Sequence, residues 1–285
     1  MLDWEDLHHF AVFARELSLS AAARRLQVDH VTVARRIAAL ETRLDLKLVD
    51  RRARAYTLTA AGQEVAALAA RMDDEAFALG RAAQVLQSGL DGEVSLSAPP
   101  ALSTSLIAPR LGHLRAAHPG LTLRLIGEKR AASLSRREAD IAVRLSRPEE
   151  GDLVTRKIGV LGFALYATPA HLAAHPAAGH SFIAGDRDFD QLPQQIWLKA
   201  VAGNRPIVLQ ANDQLSQLAA ARAGIGIAAL PIYLGDATSE LQRVTAKPAT
   251  INRDIWLLVH RDLQKSPLIR AVMAFLTDCF ADLPR

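Results

Sequence analysis

The strongest constraint on this chain is where its helix breakers fall. No proline occurs in residues 3–89, and Gly62 and Gly80 are the only glycines before Gly89. A stretch of that length can carry several helices in succession, because proline removes a helical donor and glycine adds backbone entropy. From Gly92 onward, short apolar runs such as Val94-Ser95-Leu96-Ser97 and Ile141-Ala142-Val143-Arg144-Leu145 alternate with helical patterns. The order predicts a helical start followed by an α/β region. A chain of 285 residues has room for two or three such domains. With half its residues hydrophobic and 22% charged, it is not a disordered chain.

Cysteine and hydropathy exclude several classes. The single cysteine, Cys279, rules out an intramolecular disulfide, a Cys-rich zinc site and an iron–sulfur cluster, and is expected as a small hydrophobe in a C-terminal helix. The N-terminus Met1-Leu2-Asp3-Trp4-Glu5-Asp6 is acidic and lacks the apolar core of a secretory signal. The longest apolar run, Ile158 to Ala167, falls short of the roughly 18–20 residues of a membrane span. The expectation is a cytoplasmic protein that does not enter a membrane.

Three helices are expected in the first 60 residues. Leu7, Phe10, Ala11, Ala14 and Leu17 form one apolar stripe. Ser18 and Ser20 are candidate caps for a short helix from Ala21 to Leu26, and Gln27-Val28-Asp29 makes a tight turn. Asp29 can cap a third helix to about Leu44, with Val33, Ile37, Leu40 and Leu44 on one side and His30, Thr32, Arg35, Arg36 and Arg43 outward. A short helix, a turn and a longer helix with a basic face fit a helix-turn-helix. Arg51-Arg52-Ala53-Arg54-Ala55-Tyr56-Thr57-Leu58 fits a β-ribbon wing. Periodicity alone leaves the alternative open, an amphipathic helix whose arginines are simply solvated.

Charge is informative only locally. The whole chain carries +4, while residues 1–89 are neutral, with 12 basic and 12 acidic side chains. Between Ser20 and Gly62, however, 9 Lys or Arg meet only 4 Asp or Glu. That surplus lies on the third helix and the wing. Arginine suits bidentate bonds to guanine, and Thr suits a thymine methyl or a phosphate. His30, Thr32, Arg35 and Arg36 are the expected base or phosphate contacts, and Arg51, Arg52 and Arg54 the phosphate or minor-groove contacts.

From Thr59 to about Ser88 one long helix is expected, with Val65, Leu68, Met72, Leu79 and Leu86 on a 3–4 spacing beside Ala69, Ala76 and Ala83. Such a seam predicts a dimerising linker. Beyond the boundary at Ser88-Gly89-Leu90-Asp91-Gly92 the pattern predicts strand 93–98, helix 102–117, strand 121–126, helix 131–138 and strand 140–145. Ligands of such βαβ units bind at the carboxyl ends of the strands. The turn Pro99-Pro100-Ala101-Leu102-Ser103-Thr104-Ser105 offers hydroxyls and amide dipoles suited to an anion, with Ser103 equally able to act as a helix cap.

Leu7–Phe10, Ser18–Leu26, Arg35, Ile37, Leu40-Glu41, Leu48, Arg51, Arg54 and Leu58-Thr59-Ala60-Ala61-Gly62 together resemble the DNA-binding domain of LysR-type transcriptional regulators. The Ala22-Ala23 pair followed by Leu26 sits at that family's spacing, and the resemblance covers almost the whole chain. Departures fall at the start of the third helix. Asp29, His30 and Val31 replace the family's Ser-Gln and small residue or proline, Ala34 replaces a Ser, and Val49 a Phe.

The resemblance implies a winged helix-turn-helix at 1–59, a linker helix at 60–89 and an effector domain at 90–285. The last resembles type 2 periplasmic binding proteins, with one subdomain at 92–162 and 261–285 and the other at 163–260. It implies chain crossings at Leu161–Leu165 and Leu257–His260, and a cleft at Ser103, Thr104, Ser105, Gly127, Glu128, Arg144, Asn212 and Asp213. Arg144 could pair with a ligand carboxylate or with a neighbouring acid. The segment Arg222 to Pro231 resembles the family's Gly-x-Gly-Ile-x-x-x-Pro run. The implied partners are promoter DNA, a small-molecule effector, a second copy in a dimer or tetramer, and RNA polymerase, with no cofactor.

Two other classes compete. His8-His9, and His171 with His175, hint at metal chemistry, but no third ligand stands at diagnostic spacing, and His171 and His175 are expected on a surface helix. A P-loop, a nucleophile elbow and a dinucleotide fingerprint are absent from the sequence. A solute-binding protein would share the C-terminal architecture but not the N-terminal helices.

Overall fold

The structure, a computed structural model, describes residues 2–50, 56–86, 91–127, 139–148, 153–174 and 176–284. It divides into two compact units, Met1–Gln84 and Val85–Arg285. The expected helix 131–138, wing residues Arg51, Arg52 and Arg54, Glu128 and His175 lie outside the described residues.

The first unit starts with α1 (Trp4–Glu16), α2 (Leu19–Leu26) and α3 (His30–Leu44). Asp3, Ser18 and Asp29 each accept a backbone N–H of the helix they precede. Ser18 rather than Ser20 caps α2, so that helix starts two residues before the expected Ala21. Phe10, Phe13, Val33, Ile37, Leu40 and Leu48 are buried where these helices meet. β1 (Val49–Asp50) pairs antiparallel with β2 (Thr57–Leu58), the described base of the wing.

α4 (Ala60–Leu86) follows, 27 residues and about 40 Å long. The Leu-Thr-x-Ala-Gly run has a physical reason at its start. Thr59 Oγ1 donates to Lys47 O at 2.6 Å and accepts from Gly62 N at 2.9 Å, capping α4 and clamping it to the strand entry. A Cβ at Gly62 would stand 2.0 Å from Leu48 O, so only glycine allows the helix this close. Glu41, buried on α3, takes Leu48 N at 2.8 Å and Val49 N at 3.2 Å on one oxygen, fixing the entry to β1. Asp73 of α4 holds α1 through His8 Nδ1 at 2.9 Å and Arg15 Nη2 at 3.2 Å.

In the second unit β3 (Gly92–Ala98) leads into a helical run: α5 (Pro100–Leu102), a π segment (Ser103–Ile107), a 3₁₀ turn (Ala108–Arg110) and α6 (Leu111–Ala117). The widening has a cause, since Pro109 has no N–H to continue the α-helical ladder. β4 (Leu121–Gly127) and β5 (Ile141–Arg144) flank β3 in parallel. β6 (Leu153–Ala167) is the long strand that leaves this half.

The other half holds α7 (Pro169–Ala174), β7 (Phe182–Ala184), α8 (Pro193–Ala202), β8 (Ile207–Gln210), α9 (Gln214–Arg222), β9 (Ile227–Pro231), α10 (Ile232–Gly235) and β10 (Gln242–Val244). β11 (Ile251–His260) then returns, and α11 (Pro267–Cys279) packs on the first half. The strand order is β4-β3-β5-β11-β6-β9-β7-β8, with β10 on β6.

The outward crossing falls in β6 near the expected Leu161–Leu165, but the return does not fall at Leu257–His260. Trp256 to Val259 already pair with Arg144 to Ile141 of the first half, so the passage back lies at Ile251–Ile255. His171 is buried rather than on the surface, with Nδ1 3.1 Å from Gly224 O. Cys279 is buried in α11, and burial pushes its thiol up to about 11. Among the described residues no His, Cys, Asp or Glu cluster could hold a metal, and no helix is long and apolar enough to cross a membrane.

The Gly62 contact gives the first expectation. Gly62→Ala must push α4 off Leu48 and lower stability by about 1–3 kcal/mol, whereas Ala60→Ser, at an exposed position, leaves it within about 0.5 kcal/mol. Thermal melts of both variants check this.

Candidate DNA-binding and effector sites

The turn between α2 and α3 sets the first site. Gln27 closes α2 in the left-handed region at φ 56°, and Asp29 opens α3. Asp29 accepts from Thr32 N at 2.8 Å and from Thr32 Oγ1 at 3.0 Å. Those bonds, the backbone one first, hold the Asp29 carboxyl below the usual carboxylate range. It is therefore a charged cap, exposed at the helix end. His30, Val31 and Arg35 are exposed on the same turns, and Arg35 makes no ion pair among the described residues.

Arg36 stands differently from the expectation. Its Nη1 donates to the buried Asp6 at 3.1 Å and its Nη2 to Glu5, with Asp3 at 3.9 Å. Asp6 raises the Arg36 pKa further above its ordinary value. Arg43 joins the cluster, 3.3 Å from Asp6 and 3.6 Å from Asp3. Arg25 likewise pairs with Glu16 at 3.2 Å. Three of the nine cations counted between Ser20 and Gly62 are thus engaged by acids of α1, outside that window. Arg36 is directed at the α1–α3 packing because the cap and first turn of α1 place the carboxylates of Asp3, Glu5 and Asp6 beside it.

The expected seam on α4 divides. Val65 packs against the buried cluster of its own unit, and Ala69 is buried there. Leu68, Met72 and Leu79 are 57%, 47% and 73% exposed, an apolar face left uncovered among the described residues. Leu86 ends the helix.

The second site is a cavity of about 570 Å³ in the C-terminal unit, within the range of small-molecule sites. One wall comes from Pro99 to Leu102 and Arg144 to Ser146, the facing wall from α8, α9 and Tyr233, and the floor from Leu161, Phe163 and Arg253 on the two crossing strands. Of the cleft residues that the resemblance implied, Asn212, Asp213 and Arg144 line this cavity.

Ser103, Thr104 and Ser105 do not line it. The helix starts at Pro100, earlier than residue 102, which leaves Pro99 to Leu102 on the wall and the hydroxyls further along the helix. Ser103 Oγ instead donates to Ala98 O at 3.3 Å. Gly127 is beside the wall rather than on it, since a Cβ there would meet Pro100 at 3.8 Å.

Arg144 is buried and braced. Nη1 donates to Ser97 O at 3.0 Å and Val143 O at 2.8 Å, and Nη2 to Ser97 Oγ at 2.8 Å. Arg253 was not anticipated. It lies opposite Leu161 on β11, is 9% exposed, and spans both halves: Nη1 donates to Gln194 Oε1 at 3.3 Å and Nη2 to Leu145 O at 3.0 Å. Burial pushes its guanidinium down to about 10, and among the described residues no carboxylate pairs with it.

Other cavity-lining groups are also incompletely satisfied. Gln217 Nε2 donates to Ala211 O at 2.8 Å, which fixes its Oε1 as acceptor for Gln214 Nε2 at 3.0 Å. Gln214 Oε1 and the Tyr233 hydroxyl are then buried without partners. Burial holds the Tyr233 hydroxyl well above the usual phenol range, so it stays a neutral donor.

Comparison with known proteins gives both sites a family. Residues 4–63 match the model described as bacterial regulatory helix-turn-helix protein, lysR family, and residues 87–281 that of the LysR substrate binding domain. The mau operon transcriptional activator of Paracoccus denitrificans is 29% identical over 295 residues, covering 99% of this chain and 98% of its own. The AhcY transcriptional activator HvrB of Rhodobacter capsulatus is 30% identical over 246 residues, 79% and 80% of the two chains.

In fold the chain is similar to the full-length virulence activator AphB of Vibrio cholerae, with TM-score 0.63, 21% identity and 97% and 99% coverage. The chain belongs to the LysR-type transcriptional regulators. It is a DNA-binding regulator of transcription with an effector-binding domain, in a family of regulators rather than enzymes.

The Arg36 cluster yields a stability expectation. Arg36→Met leaves the buried Asp6 with Arg43 as its remaining ion-pair partner among the described residues and lowers the midpoint of urea unfolding. Unchanged stability would return Arg36 to the set of DNA contacts.

Proposed function

We propose that the chain regulates promoters as a dimer or tetramer, reading DNA with the first turns of α3 and responding to a small molecule in the 570 Å³ cavity. The observation that carries the DNA reading is the exposed, basic and unbridged character of Arg35 beside His30 and Thr32 at the capped start of α3. Arg35 takes a base edge or phosphate in the major groove, and Arg51, Arg52 and Arg54 of the wing take phosphates or the minor groove. Arg36 acts on this surface only by holding α3 to α1.

The exposed row Leu68, Met72 and Leu79 supports pairing of α4 with a second copy, with Leu86 continuing the spacing. Two paired units would read two half-sites. An effector that binds one cleft geometry better than another shifts the population of those geometries, and hence the activity at the promoter. Both relatives above are named transcriptional activators, which supports RNA polymerase as a further partner, in the cytoplasm where DNA and polymerase meet.

Gel shifts test the reading. Arg35→Ala is expected to lose sequence-specific binding, by about 1–3 kcal/mol against the preferred site, with its melting temperature unchanged. Unaltered affinity would remove Arg35 from the interface. Leu68→Glu with Leu79→Glu is expected to give monomers in sedimentation at micromolar concentration, and a persisting dimer would place the interface elsewhere.

A further inference from the structure

Arg253 is a buried charge of the cavity whose hydrogen bonds, among the described residues, go only to neutral acceptors. A guanidinium nine-tenths buried with only neutral acceptors is costly, and natural proteins usually pair such a group with an acid. Among the described residues the charged side chains lining the cavity are Arg144, Arg253 and Asp213. Both carboxylate oxygens of Asp213 are engaged by Ser216, through its N at 2.8 Å and its Oγ at 2.5 Å. Arg144 is braced on Ser97 and Val143. The Arg253 bond to Gln194 is long at 3.3 Å, so a carboxylate oxygen would replace it as the better acceptor. Around these groups the walls are apolar, including Leu102, Leu161, Phe163, Phe189, Leu192 and Pro231.

We infer that the effector is a compact monocarboxylate with an apolar body, and that Arg253 is the residue that recognises its carboxylate. The inference rests on the cavity being the effector site. It also assigns a mechanism for sensing. Arg253 touches Leu145 of one half and Gln194 of the other, so an anion drawn to it exchanges the bond to Gln194 for one of its own. The contact between the halves then changes at the strand that joins them. Binding and hinge geometry share a single side chain.

Matched pairs of acids and their primary amides test this on the full-length protein: benzoate and benzamide, cyclohexanecarboxylate, 3-phenylpropionate, hexanoate and octanoate with theirs. Binding is followed by calorimetry and by thermal shift. The expected result is that acids of the set bind and exceed their amides by about thirty-fold or more. Arg253→Gln should erase that preference while Arg253→Lys keeps part of it. Acids binding no better than amides, a preference that survives in Arg253→Gln, or no binding by any acid overturns the inference. Ser146→Trp, an exposed substitution that fills the cleft, separates the two levels. If it abolishes binding while the wild-type protein holds acids and amides equally well, the cavity stands and the role of Arg253 falls. If binding persists unchanged in Ser146→Trp, the ligand lies elsewhere and both fall.

Discussion

The pairing of β6 with β11 is the constraint on which the effector-binding unit depends. The two strands run antiparallel from Phe163 opposite Ile251 to Leu153 opposite His260, with one bulge between Ile255 and Trp256. β11 pairs with β5 of the first half and β6 with β9 of the second, so each strand belongs to both halves. A continuous backbone ladder resists shear but tolerates a change of twist. The cavity sits over this ladder, with Leu161, Phe163 and Arg253 as its floor. Any ligand there touches the only backbone ladder shared by the two halves among the described residues.

A second economy operates in the DNA-binding unit. Thr59, Gly62 and Glu41 all act on the short segment around Leu48, and together they set where the wing strands start relative to α3. The acids of α1 perform the same service at the other side of α3 by holding Arg36 and Arg43. Positioning a recognition helix thus consumes basic residues that a simple count would assign to DNA. The surplus of charge between Ser20 and Gly62 remains, but fewer of its members are available to phosphate.

Local chemistry explains what was legible in the sequence. Ser18 and Asp29 cap the helices they were expected to flank, and the Val33, Ile37 and Leu40 spacing defines the buried face of α3. Each is a statement about residues within one or two turns, where periodicity and capping suffice. Contacts between distant segments were not legible. Nothing near Arg36 in sequence reveals that Asp6, thirty positions away, faces it.

The displaced hydroxyls have a related cause. Pro99 and Pro100 set an earlier helix start, and the cavity wall shifted to Pro99–Leu102 with it. Arg253 does carry a signal in the sequence: Ile251, Arg253 and Ile255 alternate on one face of a strand, and an arginine in an inward register is an anomaly that asks for a ligand or a partner. The return crossing was misplaced for the same reason, because its position is set by pairing with β5 rather than by the apolar run itself.

The central claim is that paired copies of the N-terminal unit read two related half-sites. The most direct measurement is sequencing of the fragments that the purified full-length protein retains from sheared genomic DNA, followed by a footprint on the most enriched fragment. The expected result is a shared element with dyad symmetry whose halves are about one helical turn apart or a multiple of it, roughly 10 base pairs per turn. Retention of an unrelated set of fragments, or protection of one undivided site without symmetry, would contradict it.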